Sequence, residues 1–262
     1  MTVLRDRART LLDLHTAPEI LTLANVWDVA SARAVAGVEG VRALATASHS
    51  IAAAFGYEDG ENIPLDLHLA MVERITQAVD LPVSMDMEAG YGDPGETARR
   101  AIDAGVVGGN LEDRVKPLDE AVAAVEAVLA AGRAAGIDIV LNARTDVFVL
   151  REKGADRKEL MREAVRRGHA FLEAGAPVVF VPGVMTRDEI EILVAELGPR
   201  KASLIAYPGV TPSTRELEQM GVARVSAGPF TSYVALNALR EAATAFVGGG
   251  SLPPDAVPTS AR

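Results

Sequence analysis

The stretch Leu81-Pro-Val-Ser-Met-Asp-Met-Glu88, then Pro94–Ala104, then Val106-Val-Gly-Gly-Asn-Leu-Glu112, decides the fold. The two outer runs have the length and apolar content of buried strands, and the Ala- and Arg-rich stretch between them has the length of a helix. Asp93 directly before the helical stretch is a residue type that caps helix N-termini. A strand, a helix and a strand in this order predict a right-handed βαβ unit with parallel strands.

The same alternation occurs eight times along the chain. The predicted strands are Leu21–Val26, Val41–Ala47, Leu81–Glu88, Val106–Glu112, Ile137–Arg144, Pro177–Val181, Lys201–Tyr207 and Val222–Ala227. The predicted helices are Ala30–Val38, Leu65–Val79, Pro94–Ala104, Pro117–Ala135, Asp156–Ala174, Arg187–Leu197, Ser213–Met220 and Phe230–Val247, with an extra N-terminal helix over Val3–Leu14. Eight such units predict an α/β fold, a closed (β/α)8 TIM barrel. An open doubly wound sheet is the alternative, but the first strand ends in Asn25-Val-Trp-Asp28 and no glycine-rich phosphate loop follows it.

Length and composition restrict the function classes. The chain has 262 residues, no cysteine and a net charge of −10. We predict one barrel domain over residues 1–248 and a C-terminal tail over 249–262. The lack of cysteine excludes disulfides, cysteine-ligated metals and a thiol nucleophile. The acidic balance predicts no nucleic-acid partner. No apolar run reaches the roughly 18 residues of a membrane span, and the charged N-terminus is not a secretory signal, so we expect no membrane partner and a cytoplasmic location.

Polar side chains are concentrated at the ends of three neighbouring predicted strands. Residues two apart in a strand share a face, and the polar faces carry Asp86 and Glu88, Asn110 and Glu112, and Asn142, Arg144 and Asp146. Active sites of this fold lie at the C-terminal ends of the strands. Three carboxylates and an arginine at one rim therefore predict an active site rather than a solvated edge.

The carboxylates Asp86, Glu88 and Glu112 form a cluster of oxygen ligands. Like charges share a small site only if a cation is bound or some of them are protonated. Oxygen ligands without nearby His or Cys favour Mg²⁺ or Mn²⁺ over zinc, and we expect Asp86 to bind directly and the two glutamates through water. Arg144 offers a bidentate fork for a substrate carboxylate. A metal and an arginine together would stabilise the enolate of a 2-oxo acid.

The segment Ala45-Thr-Ala-Ser-His-Ser-Ile51, at the end of the second predicted strand, has small side chains that let backbone N–H groups approach a carboxylate or an oxyanion. His49 is the one histidine on a predicted rim loop. A structural role is the commoner one for a lone histidine, and contact with the substrate is the alternative. Trp27 is predicted to pack at the rim, with a place in the pocket wall as its alternative.

Six motifs resemble those of the isocitrate lyase/phosphoenolpyruvate mutase superfamily and occur in the order of that family. They are Asn25-Val-Trp-Asp28, Phe55-Gly-Tyr-Glu-Asp-Gly60, Asp86-Met-Glu-Ala-Gly-Tyr-Gly92, Asn110-Leu-Glu-Asp113, Asn142-Ala-Arg-Thr-Asp146 and Phe180-Val-Pro-Gly183. The resemblance extends from about residue 5 to residue 245. It implies a Mg²⁺-dependent barrel that makes or breaks C–C or P–C bonds of 2-oxo or 2-hydroxy acids through an enolate. It also implies a homo-oligomer, a dimer or tetramer, in which the last helix is swapped between paired subunits.

The resemblance also implies roles for individual residues. Asp86 matches the metal ligand, Glu88 and Glu112 match the second and third acids, and Arg144 matches the arginine that binds the substrate carboxylate. Asp59 matches an acid on the mobile loop after the second strand, and the backbone of Ala47 and Ser48 matches the segment that holds the carboxylate of the 2-oxo acid. The candidate catalytic residues are thus Arg144, Asp59 and Glu112. The candidate substrate contacts are Trp27, Ala47, Ser48, His49, Asn142 and Arg144, and the candidate metal residues are Asp86, Glu88 and Glu112.

The chain departs from the family pattern after the fourth strand. The family's lyases carry a loop there with a catalytic cysteine, whereas Asp113 is followed by Arg114-Val-Lys116 and then directly by Pro117. We therefore expect negligible isocitrate cleavage. The longer loop of the P–C enzymes is also missing, Pro182 stands where they tend to have a histidine, and Ala47 replaces a serine. We expect the lid to be Ala52–Glu61, with hinges at Gly56 and Gly60.

The leading hypothesis is a Mg²⁺-dependent C–C lyase or decarboxylase that acts on a small 2-oxo or 2-hydroxy dicarboxylic acid. P–C bond chemistry of the phosphoenolpyruvate mutase or phosphonopyruvate hydrolase type is one alternative. A barrel that binds a 2-oxo acid without turning it over is the other.

Overall fold

A computed structural model describes residues 2–257 and contains nine strands and ten helices in that range. The strands are β1 (Leu21–Leu23), β2 (Asn25–Val26), β3 (Leu44–Thr46), β4 (Val83–Asp86), β5 (Gly108–Glu112), β6 (Val140–Arg144), β7 (Val178–Phe180), β8 (Ala202–Ile205) and β9 (Arg224–Ser226). The helices are α1 (Thr2–Thr16), α2 (Val29–Ala36), α3 (Ser48–Ala54), α4 (Leu65–Ala78), α5 (Pro94–Asp103), α6 (Leu118–Ala134), α7 (Arg157–Glu173), α8 (Arg187–Leu197), α9 (Thr214–Gln219) and α10 (Phe230–Val247).

All strand pairs are parallel, and the sheet closes on itself. Pairing follows the chain from β2 to β9, and β9 then pairs with β1. Since only Ala24 separates β1 from β2, these two segments are halves of one barrel strand. Nine segments therefore make eight barrel positions, and the predicted (β/α)8 fold is confirmed.

Helix α1 closes the N-terminal end of the barrel. Leu11 and Leu14 are buried on its inner face. A Cβ atom on Gly108, the first residue of β5, would lie 2.5 Å from Leu11 Cδ2. Glycine is therefore required where the helix crosses the barrel. The opposite end, where the strands terminate, carries the loops that form the active site in barrels of this kind.

Helix α3 was not predicted. The sequence analysis assigned residues 45–51 to the end of a strand and a rim loop, but a helix begins at Ser48 and continues to Ala54. Ile51 and Ala52 are fully buried, and burial of this apolar pair explains why the short segment is helical. The predicted lid over Ala52–Glu61 thus begins inside α3, and its exposed part covers residues 53–60.

Helix α10 lies largely outside the core. Ser232 is its one buried residue, and several of its large apolar side chains are exposed: Val234, Leu236, Leu239, Phe246 and Val247. Residues 249–257 of the predicted tail are exposed, whereas 258–262 are outside the described residues. Within 2–257, no helix is long and apolar enough to cross a membrane.

Candidate active site

A cavity of about 350 Å³ opens at the C-terminal ends of the barrel strands. One side is polar and is lined mainly by Ser48, His49, Asp59, Asp86, Glu88, Asn110, Glu112 and Arg144. The other side is largely apolar and is lined by Val149, Phe180, Pro182, Ile205, Tyr207, Pro229 and Phe230. The polar side comes from α3 and its following loop and from β4–β6, whereas most of the apolar side comes from the segments around β7–β9.

Asp86 is held at the centre of the polar side by the preceding strand and helix. Ser48 Oγ donates to Asp86 Oδ2 at 2.8 Å, and the Asp86 N–H donates to Thr46 Oγ1 at 3.0 Å. Ser48 Oγ also lies 3.4 Å from Asp59 Oδ1. The first residue of α3 therefore connects the lid acid to the predicted metal ligand.

Glu88 follows β4 in the left-handed backbone region, with φ of 51°. Burial and the neighbouring acids Asp86, Asp59 and Glu112 together raise the pKa of Glu88 to about 8. The hydroxyl of Tyr91 donates to Glu88 Oε1 at 3.4 Å and lies 3.0 Å from His68 Nδ1. This corner of the cavity therefore carries more negative charge than the surrounding protein neutralises.

Arg144 is fixed between two acids. It is paired with Glu112 in the sheet register, and the Arg144 Nη1 to Glu112 Oε2 distance is 3.0 Å. Its Nε donates to Asp146 Oδ1 at 2.7 Å. Burial alone lowers the pKa of Arg144, but Asp146, Glu112 and Asp86 outweigh this effect and raise it above its ordinary value. Arg144 therefore stays charged and presents a rigid guanidinium at the cavity wall.

Arg114 occupies the place of the missing family loop, and it was not among the predicted site residues. Its guanidinium contacts Glu112 at 2.9 Å and Glu61 at 3.1 Å, and lies 3.9 Å from Glu88. The backbone of Arg114 is left-handed, with φ of 46°, and its N–H donates to Asp146 Oδ2 at 3.1 Å. The short loop thus directs a fixed cation onto the acidic cluster.

His49 lies in the first turn of α3 rather than on a loop, and it does line the cavity. Its Nε2 is 2.8 Å from the Tyr233 hydroxyl, and its Nδ1 is 3.7 Å from Asp59 Oδ2. Ala47, the residue before α3, also lines the cavity. These positions are compatible with either role considered for His49.

Two predicted substrate contacts lie outside the cavity wall. Trp27 packs against the hydrophobic core, and its backbone N–H donates to Ser31 Oγ. Asn142 is fully buried and donates to Asn110 Oδ1 at 2.8 Å. Asn142 shares its strand face with the cavity-lining Asn110, but it is not itself among the residues that line the cavity.

Two aromatic wall residues were missed by the sequence analysis. Tyr207 and Phe230 make an edge contact with ring centroids 5.6 Å apart, and both line the cavity. Tyr207 follows β8 and Phe230 begins α10 after β9. The rule that barrel sites lie at strand ends would have found both, but neither carries the charge that drew attention to the other strands.

The donor set suits a hard, water-rich cation. The available ligands are carboxylate oxygens, which Mg²⁺ and Mn²⁺ prefer. Within residues 2–257, no three acidic or imidazole side chains are close enough to coordinate one ion together. Mg²⁺ commonly keeps several waters and uses one or two carboxylates, so the arrangement fits a cation held by few direct ligands.

Comparison with known proteins identifies the family. The model of the family described as phosphoenolpyruvate phosphomutase matches residues 11–247. The chain belongs to the phosphoenolpyruvate phosphomutase family. The resemblance inferred from the six motifs is therefore confirmed over almost the whole chain.

Relatives within the phosphoenolpyruvate phosphomutase family carry different names. An uncharacterized protein of Mycobacterium tuberculosis H37Rv is 33% identical, with 92% of this chain and 90% of the relative covered. An oxaloacetate decarboxylase of Paraburkholderia xenovorans LB400 is 28% identical, with 92% and 81% covered. A crystal structure of a protein assigned as a phosphonomutase, from Burkholderia cenocepacia J2315, superposes with a TM-score of 0.84 at 38% identity, with 94% and 100% covered.

Proposed function

We propose that this chain is a Mg²⁺- or Mn²⁺-dependent C–C lyase or decarboxylase acting on a small 2-oxo or 2-hydroxy dicarboxylic acid. The observation that carries the proposal is the convergence of Asp86, Glu88, Glu112 and Arg144 on one cavity at the C-terminal end of the barrel. Membership of the phosphoenolpyruvate phosphomutase family and a relative named oxaloacetate decarboxylase support it. We also propose a cytoplasmic location, the one expected in the sequence analysis.

The bound cation would supply Lewis-acid stabilisation of the carbonyl and carboxylate oxygens of the substrate. Asp86 is the residue best placed to hold it, with Glu88 and Glu112 reaching it through water. Arg144 would orient the substrate carboxylate with its fixed guanidinium. In decarboxylation of oxaloacetate, the C3–C4 bond breaks, CO₂ leaves, and the electron pair becomes the enolate of pyruvate, which then takes a proton at C3.

The short loop after β5 supports decarboxylation over cleavage that needs a dedicated acid. Only residues 113–117 separate β5 from α6, and the chain has no cysteine. The enolate of pyruvate can take its proton from solvent or from a side chain such as His49. We therefore propose measurable oxaloacetate decarboxylation and negligible isocitrate cleavage.

P–C bond chemistry is the second candidate, because the matching family model is described as phosphoenolpyruvate phosphomutase. A phosphonate or phosphate dianion is usually bound by several cationic groups. Among the described residues that line the cavity, Arg144 is the one Lys or Arg, and two acids already pair with it. This charge balance favours the carboxylate substrate.

A substrate panel tests the proposal. Oxaloacetate, 2-oxoglutarate, substituted malates, isocitrate and phosphonopyruvate would each be incubated with the chain and Mg²⁺, and product release and ligand binding measured separately. Release of pyruvate from oxaloacetate is the expected result. Turnover of phosphonopyruvate alone would favour P–C chemistry, and binding without turnover of any substrate would indicate the non-catalytic barrel.

We also propose that the chain forms a homodimer or homotetramer through α10. The exposed apolar side chains of this helix form a surface of the kind that association buries. Exchange of the helix between paired subunits, as in the superfamily it resembles, would cover this surface.

A further inference from the structure

Asn110 is a cavity-lining amide whose orientation is fixed by its neighbours. It lies in β5, between Asp86 of β4 and Asn142 of β6 in the sheet register. Its Oδ1 accepts two hydrogen bonds, from Asn142 Nδ2 at 2.8 Å and from Arg224 Nη2 at 3.2 Å. A guanidinium has only donors. The atom that faces Arg224 must therefore be the oxygen, and the NH₂ group of Asn110 is on the other arm of the amide.

The NH₂ group of Asn110 has no acceptor within hydrogen-bond distance among residues 2–257, since the side-chain hydrogen bonds of Asn110 there are the two that Oδ1 accepts. The residue is only 6% exposed, and it lines the cavity. Its Nδ2 is not one of the fully enclosed side-chain atoms that lack a partner in the described chain, so the NH₂ group stays accessible from the cavity that Asn110 lines. An oxygen of a ligand bound in this cavity would be an acceptor for it.

Arg224 fixes the orientation of the Asn110 side-chain amide. It is fully buried and reaches across the barrel from β9, with Nη1 3.3 Å from Ser84 Oγ on β4. Burial lowers the pKa of Arg224 to about 10, so it remains protonated at neutral pH. No carboxylate of the described chain forms an ion pair with it, and Asn110 Oδ1 is the strongest acceptor that it contacts. Rotation of the Asn110 amide would bring an NH₂ group against this guanidinium.

We propose that Asn110 is a catalytic residue, which donates from Nδ2 to the substrate oxygen on which negative charge develops, and that Arg224 and Asn142 are positioning residues. The reaction itself rests on the proposed function. When the C3–C4 bond of a 2-oxo diacid breaks, its electron pair forms the C2–C3 double bond and charge moves to the oxygen on C2. A preorganised donor stabilises that oxygen more strongly than it stabilises the ground-state carbonyl. The ligand class is a 2-oxo acid or its enolate.

Asn110→Asp separates this role from a structural one. The variant keeps an oxygen for Asn142 and Arg224 but replaces the NH₂ donor with a second oxygen. Because Arg224 gains a carboxylate partner, we expect an unchanged or higher melting temperature. We expect kcat/KM for oxaloacetate to fall by about 10²–10³-fold, the usual effect of removing one oxyanion donor. Gln77→Glu, which makes the same amide-to-carboxylate change at an exposed position of α4, is the matched control.

A binding measurement keeps the test independent of turnover. Oxalate resembles the enolate of pyruvate in shape and charge, and its dissociation constant would be measured by calorimetry in the presence of Mg²⁺. Asn110→Leu, which removes the donor without adding charge, should weaken oxalate binding at least tenfold. Arg224→Met should lower kcat more than it changes KM, and Arg224→Lys should restore part of the loss.

The results distinguish the two proposals. If the wild-type chain turns over none of the dicarboxylic acids of the panel, the proposed function fails, and the role of the Asn110 donor is then tested by oxalate binding alone. Asn110→Asp with activity within twofold of wild type would overturn the inference. Oxalate that does not bind to the wild-type chain, or binds equally well to Asn110→Leu, would also overturn it.

Discussion

At the residue scale, the two arginines beside the acidic cluster already have acidic partners. Arg144 contacts Glu112 and Asp146, and Arg114 contacts Glu112 and Glu61. A side chain that is already held by its partners loses little rotamer entropy when a ligand binds. The two guanidinium groups are therefore oriented before a ligand binds.

Replacing Arg144 with Lys separates the effect of the planar guanidinium geometry from the effect of the charge. Lysine keeps the charge but loses the planar fork, and charge-assisted hydrogen bonds contribute about 1.5–3 kcal/mol each. We expect kcat/KM for the 2-oxo acid substrate to fall at least tenfold, with the melting temperature measured as a check on folding. Unchanged kinetics would mean that Arg144 only holds Glu112 and Asp146 together.

The carboxylates and Arg144 were predictable because strand alternation has a fixed period and parallel strand ends meet at one rim. Asn110 and Asn142 were not distinguishable in this way. They lie on the same face of neighbouring strands. The difference between them is that Asn110 contacts Arg224, which comes from the opposite side of the barrel. A contact across 114 residues of sequence leaves no local pattern.

At the scale of elements, the exposed lid after α3 is held in place at its C-terminal end by contacts of Glu61. Glu61 Oε1 accepts from the Tyr91 N–H at 2.6 Å, and its Oε2 pairs with Arg114 at 3.1 Å. Glu61 adopts a left-handed backbone, with φ of 67°. The chain thus turns sharply where it is attached to the short loop after β5.

Glu61→Gln should loosen the lid. The change keeps the shape of the side chain but removes its charge, and a partly exposed ion pair contributes up to about 1 kcal/mol, which corresponds to roughly fivefold in an opening equilibrium. We expect amide hydrogen exchange over residues 55–62 to speed up two- to fivefold and KM to rise. Glu58→Gln, on the exposed part of the same loop, should change neither; equal effects of both variants would argue against the attachment.

The elements differ in how far sequence could define them. The eight strands were found because apolar runs alternate with helical patterns, but they were predicted too long. The third covers Val83–Asp86 rather than Leu81–Glu88, since Glu88 already has a left-handed backbone. Helix α3 has seven residues and no side-chain cap at its start, so it lacks the signals by which short helices are recognised.

At the scale of the whole molecule, a histidine under the barrel couples stability to pH. His15 is fully buried, and its Nδ1 lies 2.7 Å from the Leu11 carbonyl oxygen. Burial and the nearby Arg224 together lower the pKa of His15 to about 3. The unfolded chain, with a pKa near 6.5, therefore takes up this proton first as the pH falls. Stability from this group is present above about pH 6.5 and is lost progressively towards pH 3.

His15→Gln should reduce the acid sensitivity of the fold. The pKa shift of His15 corresponds to a loss of about 2 kcal/mol at pH 5 relative to pH 7. We expect the variant to show a smaller fall in melting temperature between these pH values than the wild type, whereas the exposed His169→Gln should match the wild type. The raised pKa values of Glu88 and Asp146 act in the opposite direction, but they are common to all three proteins. Equal falls in all three would contradict the assignment.

Association through α10 is tested by solution mass. Leu236 and Leu239 are 57% and 64% exposed, and a charged residue at either position would oppose burial in an interface. We expect light scattering to give the mass of a dimer or tetramer for the wild type and a lower mass for the double variant Leu236→Asp, Leu239→Asp. A wild-type mass of 27.5 kDa, that of a single chain, would contradict the proposal.

The carboxylates at the rim are proposed to hold a divalent cation for cleavage of a 2-oxo acid. The most direct measurement is the rate of pyruvate formation from oxaloacetate, corrected for the uncatalysed reaction, in chelator and after addition of Mg²⁺ or Mn²⁺, with wild type and Asp86→Ala side by side. We predict activity for the wild type only with added metal, and none for Asp86→Ala under either condition. Full activity in chelator, or equal activity of Asp86→Ala, would contradict the account.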